Sequence, residues 1–240
     1  MAVIFTAFES FMFYLVHFSD SDFDFRYTSI IAATVFAYLT LVIELVTARP
    51  ENESPREILF NKNDGNLIRI AMLFTLVADY FLVAKTEADN LTGVTVFLGT
   101  QLFIFLHIFV NDKSSKSRTA NLIIRLLLSV VLVLIAYAIL GESADSMAII
   151  SVIYYANLCT NAIFAHRIGR GGIILTIGLI LFALCDVNVG LSGLDSIYVG
   201  GFPEGSLLYN IMNLDVDLAW IFYIPSQTLI PLTLLFSNNE

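Results

Sequence analysis

Two aspartates stand inside long apolar runs: Asp79 in LFTLVADYFL and Asp186 in LFALCDVNVGL. A carboxylate buried in lipid costs at least ~2.5–3.5 kcal/mol near the bilayer centre, so a chain that keeps two has a use for them. Both lie on stretches that run in the same direction across the membrane. At about 1.5 Å per residue they sit roughly 18 and 21 Å from the starts of those stretches, at matching depth. If the two spans are neighbours, the carboxyl groups face one cavity. Neighbouring charges of one sign are costly where water is scarce, so such a pair supplies one acid and one base. The other reading is two unrelated aspartates, each hydrogen-bonded to its own surroundings. The last apolar run adds Trp220, Tyr223, Ser226 and Gln227. Tyr223 and Gln227 are one helical turn apart and share a face. Their hydroxyl and amide can orient a water or a substrate oxygen, or they can hydrogen-bond between helices. Glu9, Glu44 and His107 are further polar residues within apolar runs. Glu44 and His107 fall near span ends and read as structural, whereas Glu9 is balanced between the two roles.

The elements that carry these residues follow from composition. The 240 residues are 58% hydrophobic and only 14% charged, with a mean hydropathy of +0.81. An ordinary soluble domain is about 25% charged. The charges gather between apolar runs of about twenty residues, the length that crosses hydrocarbon as a helix. The expected fold is an all-α membrane protein, one domain over residues 1–240. Eight spans are expected at about 2–18, 27–48, 67–84, 91–110, 120–140, 146–165, 172–190 and 216–236. The connections 49–66 and 191–215 read as loops. A net charge of −9 argues against nucleic-acid partners. Cys159 and Cys185 read as buried small hydrophobes.

Basic residues set the orientation. Arg49, Arg56, Lys62 and Arg69 flank the second connection, Lys113, Lys116, Arg118 and Arg125 the fourth, and Arg167 and Arg170 the sixth. Only Arg26 and Lys85 fall on the other side. The positive-inside rule makes the basic side cytoplasmic and places both termini there. The outer side is acidic, with Asp20, Asp22, Asp24, Asp195, Glu204, Asp215 and Asp217. The sequence has no HExxH, no Gly-x-Ser-x-Gly elbow, no P-loop and no Cys/His cluster, and neither metal nor cofactor is expected.

Four segments in order resemble the YhhN-like lysoplasmalogenase family of integral membrane proteins. LFTLVADYFL is similar to a span ending in Gly-Asp-x-x-Leu, with Asp79 and Leu82 matching and Ala78 in place of the glycine. In GTQLFIFLHIF, Gly99, Phe103 and His107 resemble the next span, and Phe109 stands where a tyrosine is frequent. FALCDVNVGL resembles Phe-x-x-Ser-Asp, with Asp186 at the aspartate and Cys185 in place of the serine. FYIPSQTLI resembles Tyr-x-x-Ala-Gln-x-Leu-Ile through Tyr223, Gln227, Leu229 and Ile230, with Ser226 in place of the alanine. Tyr154 fits a less specific tyrosine.

The resemblance implies eight spans and hydrolysis of the vinyl-ether bond of a lysoplasmalogen to a fatty aldehyde and a glycerophospho-alcohol. It implies Asp79 and Asp186 as the catalytic pair, Tyr223, Gln227 and Tyr154 as substrate-binding residues, and a lysophospholipid as the partner within the bilayer. In a bacterium the site of action is the cell membrane. The alternative class is a small transporter or lipid-binding protein, since paired intramembrane acids also relay protons. A third option is hydrolysis of another lipid by the same pair.

Overall fold

The structure, a computed structural model, describes residues 1–19, 25–47, 64–85, 89–197, 202–214 and 216–236. Among them the chain is all helix with no strand. The helices are α1 (Ala2–Phe18), α2 (Phe25–Thr47), α3 (Asp64–Asp79), α4 (Asn90–Asn111), α5 (Ser115–Leu140), α6 (Ser146–Ala165), α7 (Arg170–Ile197), the short α8 (Leu207–Met212) and α9 (Leu218–Leu232). Several starts are written in the sequence as side-chain caps. Asp89 accepts from the Thr92 amide, Ser114 from Ser117, Asp145 from Ala148, Ser206 from Tyr209 and Asp217 from Ala219.

Among the described residues, seven helices are long and apolar enough to cross a membrane, which makes this a multi-pass membrane protein. The helix expected as the first span, α1, has 17 residues and is not among the seven. The expected 191–215 loop is partly helical, because α7 continues to Ile197 and α8 follows. Of the residues used to orient the chain, Arg49, Arg56, Lys62, Asp20, Asp22, Asp24 and Asp215 lie outside the described residues, as does the side chain of Asp195.

Helix α9 is the centre of the arrangement. Over half of its residues are buried, and it packs against α7, α2, α1 and α3. Helices α3, α4, α6 and α7 form a consecutive series of neighbours, with α5 applied to α6 from outside. Almost none of α5 is buried. Small residues permit the close approaches that lipid-embedded helices rely on. A Cβ at Gly99 would come within 2.5 Å of the Phe74 ring across the α3–α4 contact, and one at Gly178 within 3.2 Å of Ile230 across α7–α9.

Two arginines read from sequence as connection charges are held between helices. Arg69, 1% exposed, donates to Glu44 at 2.7 Å, Thr40 Oγ1 at 2.9 Å, Asn66 Oδ1 at 2.7 Å and the Ala37 carbonyl at 3.1 Å. Glu44 therefore has a structural partner. Arg125 donates to the side-chain oxygens of Asn121, Asn157 and Asn161, and its guanidinium lies 4.2 Å from the centre of the Phe105 ring. Helical wrapping explains both: each arginine lies inside a helix, so its direction depends on the neighbours and not on its distance from a loop. Glu9 is buried where α1 meets α2 and accepts from Ser29 Oγ at 2.5 Å. Cys185 is buried, but Cys159 is only half-buried.

Candidate functional site

Helix α3 delivers Asp79 at its last α-helical residue, and the backbone then widens into a π-helical turn over Tyr80–Ala84. Such turns recur at functional positions because they re-aim the side chains beside them. Asp79 is 2% exposed. Its Oδ2 accepts a hydrogen bond from the Tyr223 hydroxyl at 2.5 Å. Tyr223 is buried on α9, two residues before Pro225. A proline has no N–H to give to the carbonyl four residues earlier, so the helix interior beside Tyr223 keeps backbone polarity available to neighbours.

Helix α7 delivers Asp186, which is half-buried, at a depth matching that of Asp79 when counted from the observed helix starts at Arg170 and Asp64. Its Oδ2 accepts from the Tyr154 hydroxyl of α6 at 2.6 Å. Helices α3 and α7 are not among the closely packed helix pairs of the described residues, so the condition under which both carboxyl groups would face one cavity is not met by direct packing. Helix α9 stands against both α3 and α7 and supplies the link.

Aromatic rings fill the space between the two Asp–Tyr pairs. Phe182, one turn before Asp186, meets the Tyr223 ring edge-on at 5.3 Å and the Tyr154 ring at 6.4 Å. Phe97 of α4 completes the set, 5.5 Å from Phe182 and 5.8 Å from Tyr154. Trp220 stands edge-on to Tyr223 at 5.3 Å, and the Arg26 guanidinium lies 5.2 Å from the centre of the indole. Each tyrosine is held by its ring and aims its hydroxyl at one acid.

Gln227 lies one turn deeper on α9 and is fully buried. Neither of its amide atoms has a hydrogen-bond partner among the described residues, and neither does Ser226 Oγ. Buried polar groups are nearly always partnered by protein, water or ligand, so this amide marks a polar position in the interior. An apolar groove of about 490 Å³ runs further along α9, between it, α1 and α7, lined by Ala7, Ser10, Ile174, Leu229 and Leu232 among others. His107 is buried toward the opposite end of α4.

The structure thus joins Asp79 to Tyr223 and Asp186 to Tyr154, and puts Gln227 on the same helix as Tyr223. Sequence reasoning did not find Phe97 or Arg26. Phe97 carries no signal in a chain with 20 phenylalanines. Arg26 did carry one, as one of only two basic residues assigned to the acidic side.

No curated protein and no solved structure matches the chain. A family model does, that of the YhhN family, over residues 33–234. The matched stretch runs from within α2 to within the helical turn Thr233–Leu235 that follows α9, and so takes in both aspartates, both tyrosines and Gln227. The chain belongs to the YhhN family.

Proposed function

We propose that the protein is a lysoplasmalogenase-like hydrolase of the membrane, with Asp79 and Asp186 as the acid–base pair and Tyr154, Tyr223 and Gln227 as substrate-binding residues. The observation that carries this reading is the pair of Asp–Tyr hydrogen bonds set against one cluster of packed aromatic rings. Membership of the YhhN family supports it. The chemistry needs few parts. One aspartic acid gives its proton to the distal vinyl carbon, and the ether carbon becomes an oxocarbenium ion. The other carboxylate stabilises that cation and accepts a proton from the water that attacks it. The resulting hemiacetal loses the glycerol oxygen as an alcohol and leaves the fatty aldehyde. In that collapse the second aspartic acid protonates the departing glycerol oxygen and the first carboxylate takes the hemiacetal hydroxyl proton, so both groups regain their starting states. The tyrosine hydroxyls fix the rotamers of the two acids, and the Gln227 amide is suited to hold an oxygen of water or substrate. The groove between α1, α7 and α9 offers room for the alkenyl chain.

In this reading the whole chain is one eight-span bundle. Helix α1 is the first span, and both termini are cytoplasmic. Thiol labelling tests it: in a background lacking Cys159 and Cys185, Ser196→Cys should react from outside and Ser114→Cys only after permeabilisation. The opposite pattern overturns the orientation.

Activity is tested with purified protein in detergent, where no ion gradient exists, by measuring aldehyde release from a panel of vinyl-ether lipids. Asp79→Asn and Asp186→Asn should each abolish release while leaving the protein folded. Asparagine preserves volume but neither delivers a proton as an acid nor carries the charge. Near-normal turnover in either variant removes the two-carboxylate mechanism. No turnover by the unsubstituted protein removes the hydrolase reading in favour of transport or binding.

A further inference from the structure

We propose that Arg26 holds the phosphodiester of the lipid substrate, and that Asp217 competes with the lipid for it. The proposal rests on the reading of the site as a lysophospholipid hydrolase and names the residue that would recognise the headgroup.

Four observations converge on Arg26. The first is depth. Arg26 is in the first turn of α2, at the end of a 23-residue span, where lipid phosphates lie. Asp79 lies roughly 7 Å below the end of its own stretch at Ala84, at about 1.5 Å per residue. In a lysophospholipid the ether oxygen lies a few bonds deeper than the phosphorus, across the glycerol. A phosphate at Arg26 therefore lets the ether bond hang toward the acids. The second is continuity. The guanidinium lies 5.2 Å from the centre of the Trp220 ring, Trp220 contacts Tyr223 at 5.3 Å, and Tyr223 holds Asp79. The cation is thus coupled to the reacting end of the site through rigid rings.

The third is exposure. Arg26 lies 4.0 Å from Asp217, and the two side chains are 41% and 50% exposed, so a lipid at this end of the bundle can reach both. An exposed pair of this length contributes little. Trp220 backs the guanidinium with its ring. The fourth is chemistry. A planar guanidinium presents paired N–H groups to two phosphate oxygens, which an ammonium does not. The other basic residue at this end, Lys85, lies 4.0 Å from Asp89 and 5.5 Å from the centre of the Phe81 ring, on the α3–α4 side. Among the described residues it has no ring path to Tyr223 of the kind that Trp220 provides.

The chain has a single tryptophan, and it is the one beneath Arg26. Its emission therefore reports binding at this place without requiring turnover. The probe is a saturated ether lysophospholipid, which carries the phosphodiester but no vinyl group. It should change Trp220 emission saturably. Arg26→Gln should weaken that binding about 10- to 100-fold, the range for losing a hydrogen-bonded charge partner. Arg26→Lys should recover part of the loss. Asp217→Asn, which still caps α9, should tighten binding, and Lys85→Gln should leave it unchanged. An uncharged alkylglycerol should bind the Arg26→Gln variant and the unsubstituted protein alike, which also shows that the variant is folded. Equal affinity of the lysophospholipid for both, or an equal loss for the alkylglycerol, overturns the assignment. Inorganic phosphate binding as tightly as the lipid overturns the lipid as its ligand. Aldehyde release, measured separately, reports on the hydrolase reading. Lost turnover with Arg26-dependent binding intact would count against the reaction and not against this site.

Discussion

Removing the Tyr223 hydroxyl isolates one bond of the candidate site. Tyr223 is 5% exposed, and its ring is fixed edge-on by Phe182 and Trp220, both at 5.3 Å. Phenylalanine keeps those contacts, so Tyr223→Phe deletes little besides the hydrogen bond to Asp79. A bond to an ionised group contributes about 1.5–3 kcal/mol, and each 1.4 kcal/mol is tenfold in rate, which gives a fall of about 10- to 100-fold in aldehyde release. The loss should appear in kcat, because in the proposed mechanism the bond positions a reacting acid. Tyr154→Phe removes a bond of similar length, 2.6 Å. Its acceptor Asp186 is half-buried where Asp79 is 2% exposed, so water can replace the lost hydroxyl. Its effect should be smaller, about 3- to 10-fold. The assay is steady-state aldehyde release by purified variants whose thermal midpoints match the unsubstituted protein. Near-normal turnover in Tyr223→Phe, or a larger loss in Tyr154→Phe, would show that burial of the Asp–Tyr bond does not set its value in catalysis.

Gln227→Leu replaces a fully buried amide with an apolar side chain of similar size. Since the amide has no partner among the described residues, stability should hold or rise; a role in holding an oxygen predicts a loss of tenfold or more in turnover, on the order of one hydrogen bond to a charged group. His107→Ala should retain substantial aldehyde release, because the side chain lies toward the opposite end of α4 from the acids; loss of activity in folded protein would bring that end into the mechanism. Glu44→Ala should destabilise the protein by about 2–3 kcal/mol in thermal or denaturant unfolding, because it leaves the guanidinium of Arg69 buried while Thr40, Asn66 and Ala37 still accept from it. Arg69→Met should cost less, since Glu44 is 26% exposed and reaches water.

The sequence by itself determined the class of the protein and marked the stretches that carry the candidate site residues. Hydrocarbon imposes a length of about twenty apolar residues on any crossing helix, so spans are visible as one-dimensional patterns. For the same reason a carboxylate within a span is conspicuous, and Asp79 and Asp186 could be singled out without coordinates. Their depth was also legible, because rise per residue is fixed once a helix start is known. The caps at Asp89, Asp145 and Asp217 are local and equally readable.

Rotation about each helix axis and the choice of neighbours were decided only in three dimensions. Depth matching left open whether α3 and α7 are neighbours; α9 stands against both and carries the tyrosine that reaches Asp79. Tyr154 is one of 10 tyrosines, and nothing local distinguishes it until α6 turns it toward Asp186. Arg69 and Arg125 counted as loop charges by position, but packing turned them inward to Glu44 and to three asparagines. Lipid rewards every apolar face about equally, so the apolar pattern leaves the rotation of each helix open. Close contacts such as Gly99 against Phe74, and a few buried hydrogen bonds between helices, settle it, and those depend on residues far apart in the chain.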